Sequence, residues 1–247
     1  MKRYFVANWK MNLTHSDSIQ LARQIAKLKS SRYQLIVAPS EPYLVGVAKA
    51  LGRSSVKLSA QDLAAWPAGS FTGETSAAMV KEAGCRYAII GHSERRQHLG
   101  ESTELIGRKL QQAIDHGVTP IFCLGETEAE RRAGQTKSVL MQQLKQSLGK
   151  IKNLAGKKLL IAYEPVWAIG SGRAVGLDDL EQAYMAVRHA VSMLVSAEYF
   201  DSKVSFLYGG SLSGDNLAAF LPLPFLGGFL VGGASLKIEE IKRMLDA

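Results

Sequence analysis

Apolar residues in this chain fall in short, nearly unbroken runs that recur about every 20 to 45 residues. The runs cover residues 4–9, 34–38, 56–60, 87–91, 119–124, 158–163, 204–208 and 228–231. Most are continuous rather than alternating, as in strands covered on both faces of a parallel sheet. Segments of helical period lie between them. Residues 17–29 carry Ile19, Leu21, Ala22, Ile25, Ala26 and Leu28, and residues 102–116 carry Leu105, Ile106, Leu110, Ala113 and Ile114. Residues 177–195 repeat Leu180, Ala183, Tyr184, Val187, Ala190, Val191 and Leu194. Residues 235–245 open with Ser235 and nearby glutamates, which predicts a capped helix there.

Eight strands alternating with about eight helices leave two architectures, an eightfold β/α barrel and an open doubly wound sheet. The eight units and the length of 247 residues favour the (β/α)8 barrel, as a single domain over residues 1–247. No GxGxxG follows the first strand, so the best sign of a dinucleotide site is missing. The segments richest in chemistry, 8–13, 61–73, 91–96, 164–173, 209–211 and 232–234, all follow strands. On a barrel such positions converge on one rim, where enzymes of this architecture build their sites.

Composition narrows the partners. Thirty basic against twenty-two acidic side chains give a net charge of +8, yet the densest groups are pairs such as Arg95-Arg96 and Arg131-Arg132. Aromatic residues do not interleave with them, so nucleic acid is not an expected partner; a small anion would be steered by the same field. The stretch 217–236 has no charge and is long enough to cross a bilayer, but Pro222, Pro224, Gly227, Gly228, Gly232 and Gly233 break it up. No membrane partner is expected. Cys85 and Cys123 belong to neither a CxxC pair nor a zinc spacing, which suits a reduced cytoplasmic protein.

The most informative stretch is AYEPVWAIGSG at 162–172. It places Glu164 at the end of a strand, followed by a stiff Pro-Val-Trp segment and a Gly-Ser-Gly segment able to change its backbone angles. That arrangement suits a general base beside a hinged lid. The same Glu-Pro pair also suits a plain strand end with its carboxylate in solvent. Strand alternation sends Asn8 and Lys10 to one side and Trp9 to the other; the pair fits either an oxyanion and phosphate holder or an ordinary exposed strand end. In GHSERR at 91–96, Ser93 is placed to cap a short helix. The helix N-terminus would keep His92 neutral and able to donate to a polarised carbonyl. A histidine satisfied by local backbone is the plainer alternative. Glu94 is placed to pair with Lys10. Gly209-Gly210-Ser211 and Gly232-Gly233 follow the last two strands, where β/α barrels hold phosphate, although tight turns use the same residues. Together these features suit proton abstraction beside a carbonyl on a small phosphorylated sugar.

Seven stretches resemble the triosephosphate isomerase family in order and spacing: NWKMN at 8–12, FTGE at 71–74, GHSERR at 91–96, FCLGE at 122–126, AYEPVWAIGSG at 162–172, YGGS at 208–211 and LVGGASL at 230–236. The resemblance implies a (β/α)8 barrel that interconverts dihydroxyacetone phosphate and glyceraldehyde 3-phosphate without a cofactor or metal, usually as a homodimer. It implies Glu164 as the base, His92 as the electrophile, and Lys10 and Asn8 as the positive and orienting groups. Gly170, Ser211, Gly232 and Gly233 would hold the phosphate under a lid formed by 165–175. Thr72 and Met11 would meet across the dimer contact, and Cys123 would lie near the base.

Three departures stand out. Ser171 replaces the usual lid threonine, Leu13 stands where glycine is common, and loop 61–73 carries Asp62 for the usual asparagine. The apolar Leu63, Trp66 and Phe71 of that loop suit an interface, or a cover over the chain's own core. Another phosphosugar isomerase or aldolase would need a Schiff-base lysine or metal ligands, and neither is found. An inactive paralogue acting as a binding protein would have lost Lys10, His92 or Glu164; all three are present.

Overall fold

The computed structural model describes residues 2–169 and 174–247. Its strands are β1 (Arg3–Asn8), β2 (Tyr33–Ala38), β3 (Lys57–Ala60), β4 (Tyr87–Ile90), β5 (Thr119–Leu124), β6 (Leu159–Tyr163), β7 (Val204–Tyr208) and β8 (Leu226–Val231). They pair in chain order, all parallel, and β8 returns to β1, so the sheet closes into a barrel. The open doubly wound alternative is thereby excluded. At the seam Tyr4 faces Gly228 and Val6 faces Leu230. A Cβ at Gly228 would overlap the Tyr4 carbonyl oxygen, so the seam closes only on glycine.

The continuous apolar runs have a direct structural cause. Along every strand but β3, alternate residues enter one of two separate apolar clusters. Val6, Ile36, Ile89, Ile121, Leu160, Leu207 and Leu230 fill the barrel interior. Phe5, Val37, Ile90, Phe122, Ile161, Phe206 and Phe229 pack outward with the helices. Both faces are buried, so both are largely apolar; β3 places the buried Ser59 between Leu58 and Ala60.

The helices are α1 (His15–Ala26), α2 (Leu44–Leu51), α3 (Ala77–Glu82), α4 (Ser93–His98), α5 (Thr103–Asp115), α6 (Glu128–Arg132), α7 (Thr136–Leu148), α8 (Leu177–Leu194), α9 (Ala197–Lys203) and α10 (Ile238–Asp246). Thr14 caps α1 by accepting from the Asp17 amide, so that helix begins two residues before the apolar period shows it. Ser102 caps α5 as its position suggests. The expected cap at Ser235 is not formed. Residues Gly233–Leu236 make a 3-10 turn, the Ser235 hydroxyl donates back to the Gly232 carbonyl at 2.7 Å, and α10 starts beyond Lys237. The uncharged stretch 217–236 divides into a 3-10 turn, β8 and a second 3-10 turn. Among the described residues no helix is long and apolar enough to cross a membrane.

A buried ion cluster pins the start of loop 61–73. The Lys109 ammonium, from α5, lies 2.5 Å from both Asp62 and Glu101. Arg95, from α4, lies 2.8 Å from Asp62 and 2.6 Å from Glu101. Burial pushes the Asp62 carboxyl up to about 6, against the pull of the Lys109 charge. Beyond the cluster the loop divides. Leu63 packs into the chain's own core, whereas Trp66 and Phe71 stack at 4.2 Å on a segment exposed from residue 67 to 74.

Candidate active site

The strand ends of β1, β4, β6, β7 and β8 surround a cavity of about 200 Å3. Asn8, Lys10, His92, Glu164, Ser211, Gly232 and Gly233 all line it. On β6 the alternation that puts Leu160 and Ala162 inside the barrel continues to Glu164, and on β1 it runs from Val6 to Asn8. Trp9, on the opposite face, is buried in the outer core.

Glu164 is 1% exposed and lies at the cavity floor. One of its oxygens is 3.1 Å from His92 Nε2, and the other accepts from the Ser93 backbone N–H at 2.9 Å. His92, not Ser93, is the cap of α4: its Nδ1 accepts from the Glu94 N–H at 3.2 Å. The sequence assigned the cap to the commoner residue type, one position late. The consequence for chemistry is direct. With Nδ1 accepting, the ring's proton sits on Nε2, the atom that faces Glu164 and the cavity.

Lys10 lines the same cavity. Its ammonium is 2.6 Å from Glu94. Partial burial alone would raise the Glu94 carboxyl, but the hydrogen bond from Lys10, together with the Lys10 charge, outweighs it and lowers it. Lys10 itself has φ +53°, a left-handed backbone that non-glycine residues seldom adopt. Its N–H donates to the Asn8 side chain at 3.1 Å, and its carbonyl accepts from Ser40 and Gln61, each at 2.9 Å.

The lid segment is tied at both ends. Trp167 donates from its indole to Glu126 at 2.9 Å, and Tyr163 donates to the same oxygen at 3.1 Å. The Arg131 guanidinium lies over the Trp167 ring. At the far end the Val175 N–H donates to the Tyr208 hydroxyl at 3.0 Å. A Cβ on Gly210 would overlap that hydroxyl. Gly170 and Ser171 lie outside the described residues.

On the β7 and β8 side, Ser211, Gly232 and Gly233 line the cavity, and a Cβ at Gly233 would meet no atom within 4 Å. The backbone there is open to an incoming group. A Cβ at Gly232 would lie 3.3 Å from the Lys10 side chain, so that glycine faces Lys10 across the seam. Cys123 is fully buried in the barrel interior; burial, and then the negative charge of Glu164, hold its thiol well above the ordinary value. It supports the floor without lining the cavity. Met11 and Thr72 are outside the cavity too, and Met11 is 95% exposed.

The sequence did not single out Gln61, the Ser93 amide, Glu126 or Arg96. The Arg96 guanidinium donates to the carbonyls of Gly91 and Cys123, at 2.9 and 3.1 Å, and so joins the end of β4 to β5. Only their placement in strand-end segments pointed to them. Among the described residues no group of three His, Cys, Asp or Glu side chains could hold a metal ion.

Comparison with known proteins agrees with this geometry. Residues 3–247 match the family model for triosephosphate isomerase. A triosephosphate isomerase of Paracidovorax citrulli is 40% identical over 253 aligned positions, covering 100% of this chain and 98% of that protein. One from Thermus thermophilus is 40% identical, covering 99% of this chain and 98% of the relative. One from Carboxydothermus hydrogenoformans is 41% identical, with 97% and 96% covered.

Proposed function

The chain belongs to the triosephosphate isomerase family and interconverts dihydroxyacetone phosphate and glyceraldehyde 3-phosphate, and from that premise we propose how its own residues carry the reaction. Glu164 is the base. It takes a proton from the carbon beside the substrate carbonyl and returns it to the neighbouring carbon. His92 donates from Nε2 to the carbonyl oxygen, so the charge that develops on the enediolate is met by a hydrogen bond. Lys10 supplies positive charge to the same oxygens and to the phosphate, and Asn8 orients the region. The observation that carries this reading is the 3.1 Å separation of His92 Nε2 and Glu164 in a cavity that Lys10 also lines.

The order of events follows from those contacts. Glu164 lies 3.1 Å from His92 Nε2 and accepts from the Ser93 N–H. A bound carbonyl oxygen takes over the Nε2 donor, which frees a carboxylate oxygen for carbon. The phosphate lies against Ser211, Gly232 and Gly233, with Gly170 completing the cradle when the 165–175 lid covers it. Covering the site excludes water and suppresses loss of phosphate from the intermediate. Glu94 holds the ammonium of Lys10 between turnovers, and Cys123 packs beneath the base. No cofactor or metal takes part in this scheme.

Two further readings concern assembly and place. The chain works as one domain over 1–247 and pairs as a homodimer. Support for the pairing comes from an exposed Met11 beside a cavity of about 860 Å3 lined by Leu13, Tyr43 and Glu94, and from an exposed Phe71, stacked on the half-buried Trp66, on the loop that carries Thr72. Sedimentation velocity tests it: a dimer that Met11→Asp dissociates supports the reading, and a monomeric wild type rejects it. Two free buried cysteines suit a reduced, cytoplasmic setting, which cell fractionation checks.

The experiment for the chemistry is isomerisation of glyceraldehyde 3-phosphate in EDTA with no added cofactor, wild type beside Glu164→Gln. Fast wild-type turnover with a nearly inactive, folded mutant supports the assignment. A mutant as fast as wild type removes Glu164 from the role.

A further inference from the structure

We infer that Gln61 is a positioning residue for Lys10: its side-chain amide holds the strained backbone that aims the ammonium into the cavity. The inference rests on the role proposed for Lys10 above. Its own support is geometric. Lys10 sits at φ +53° without being glycine, and such a conformation persists only where the surroundings fix it. Gln61 Nε2 donates to the Lys10 carbonyl and to the Ala38 carbonyl, each at 2.9 Å. Both hydrogens of the amide are therefore used. Ala38 is the last residue of β2 and the register partner of Asn8. Gln61 thus ties Lys10, two residues past β1, to the end of β2.

The tie is itself anchored. Asp62, the next residue, is locked to Lys109 and Arg95. Arg95 follows Glu94, which holds the Lys10 ammonium. Backbone and ammonium of Lys10 are therefore fixed from the same buried cluster, through Gln61 at one end and Glu94 at the other. Methionine at position 61 has similar length and no donor. It would leave the Lys10 carbonyl with Ser40 alone among these two side chains. The backbone would then relax toward a commoner φ and carry the ammonium off its line.

A double-mutant cycle tests this, with Gln61→Met made in wild type and in Lys10→Ala. Gln61→Met is expected to lower kcat/KM by about tenfold or more, with KM rising, while a second application on Lys10→Ala costs less than about twofold. A merely structural role would cost the same factor in both backgrounds. Protection against thermal unfolding by inorganic phosphate gives the same cycle without turnover: Gln61→Met should weaken it only where Lys10 is present. If Gln61→Met fails to fold, Ser40→Ala, which removes the other donor to the same carbonyl, takes its place in the cycle. Equal losses in both backgrounds, or no loss from Gln61→Met while Lys10→Ala is impaired, overturn the inference alone. Unimpaired Lys10→Ala, by turnover and by phosphate protection, overturns it together with the reading of Lys10.

Discussion

The backbone N–H of Ser93 donates to Glu164 across 2.9 Å, holding one carboxylate oxygen while His92 Nε2 lies 3.1 Å from the other. The proposed base is thus kept at a station from which the length of its arm sets its reach. Glu164→Asp keeps the charge and shortens the arm by one methylene. Turnover should fall by about 100-fold or more, because a misplacement of about 1 Å has that effect on a near-attack geometry. The thermal midpoint should stay within a few degrees. Steady-state kinetics beside a melting curve decide it, and an undiminished kcat would refute the role.

His92 both caps α4 through Nδ1 and faces the cavity through Nε2. His92→Asn separates the two. Asparagine is a good N-cap, so α4 and the thermal midpoint should survive, while the inward donor is lost. We expect kcat to drop by about 100- to 10,000-fold, the range for removal of a positioned proton-transfer group. Retained turnover in a folded mutant would assign the catalytic donor elsewhere.

Asp62 makes stability depend on pH. Its folded carboxyl is pushed up to about 6 from the ordinary 3.8 by burial, so the folded state holds the proton more tightly than the unfolded one. The contribution is therefore fully present below about pH 4 and is lost as pH rises through about 6. Its full size is about 3 kcal/mol. Asp62→Asn should remove that loss. Urea titrations at pH 5 and pH 8 should show a stability difference in the wild type that shrinks in the mutant. The opposite slope would mean that Lys109 and Arg95 overcome burial at this site.

Gly210 leaves room for the Tyr208 hydroxyl, which accepts from Val175 at the far end of the lid. Gly210→Ala must push that ring aside and break the contact. KM for the phosphorylated substrate should rise several-fold, and stability should fall as well, since the displaced ring is fully buried against Phe220. Michaelis kinetics of Gly210→Ala beside Tyr208→Phe test the route. If the alanine variant kept wild-type KM while the phenylalanine variant did not, Gly210 would not act through the hydroxyl.

The barrel was legible because burial on both faces writes itself locally: each strand had to be a continuous apolar run, as in the LLIAY of β6. Long amphipathic helices such as α8 were legible for a similar reason. Short or irregular elements were not. Ser235 looked like a cap because serine near glutamate often is one, but its hydroxyl turned back to Gly232 and delayed the helix. The site residues were legible through clustered motifs after strands. Their polar anchoring was not: Asp62 and Lys109 are 47 positions apart, and Glu126 and Trp167 are 41 apart. A hydrogen bond between distant positions leaves no period in the chain. Gln61 carried no trace beyond its place at the head of a loop.

The seam between β1 and β8 has a temporal meaning as well as a spatial one. Lys10 follows the first strand and Gly232 the last, and a Cβ on that glycine would be 3.3 Å from the lysine side chain. The two groups proposed to hold the anion therefore lie far apart along the chain. A chain lacking β8 would have Glu164 and His92 but not both of those groups. In refolding, recovery of turnover becomes a stopwatch for the joining of the most distant segments, the slowest class of contact to form.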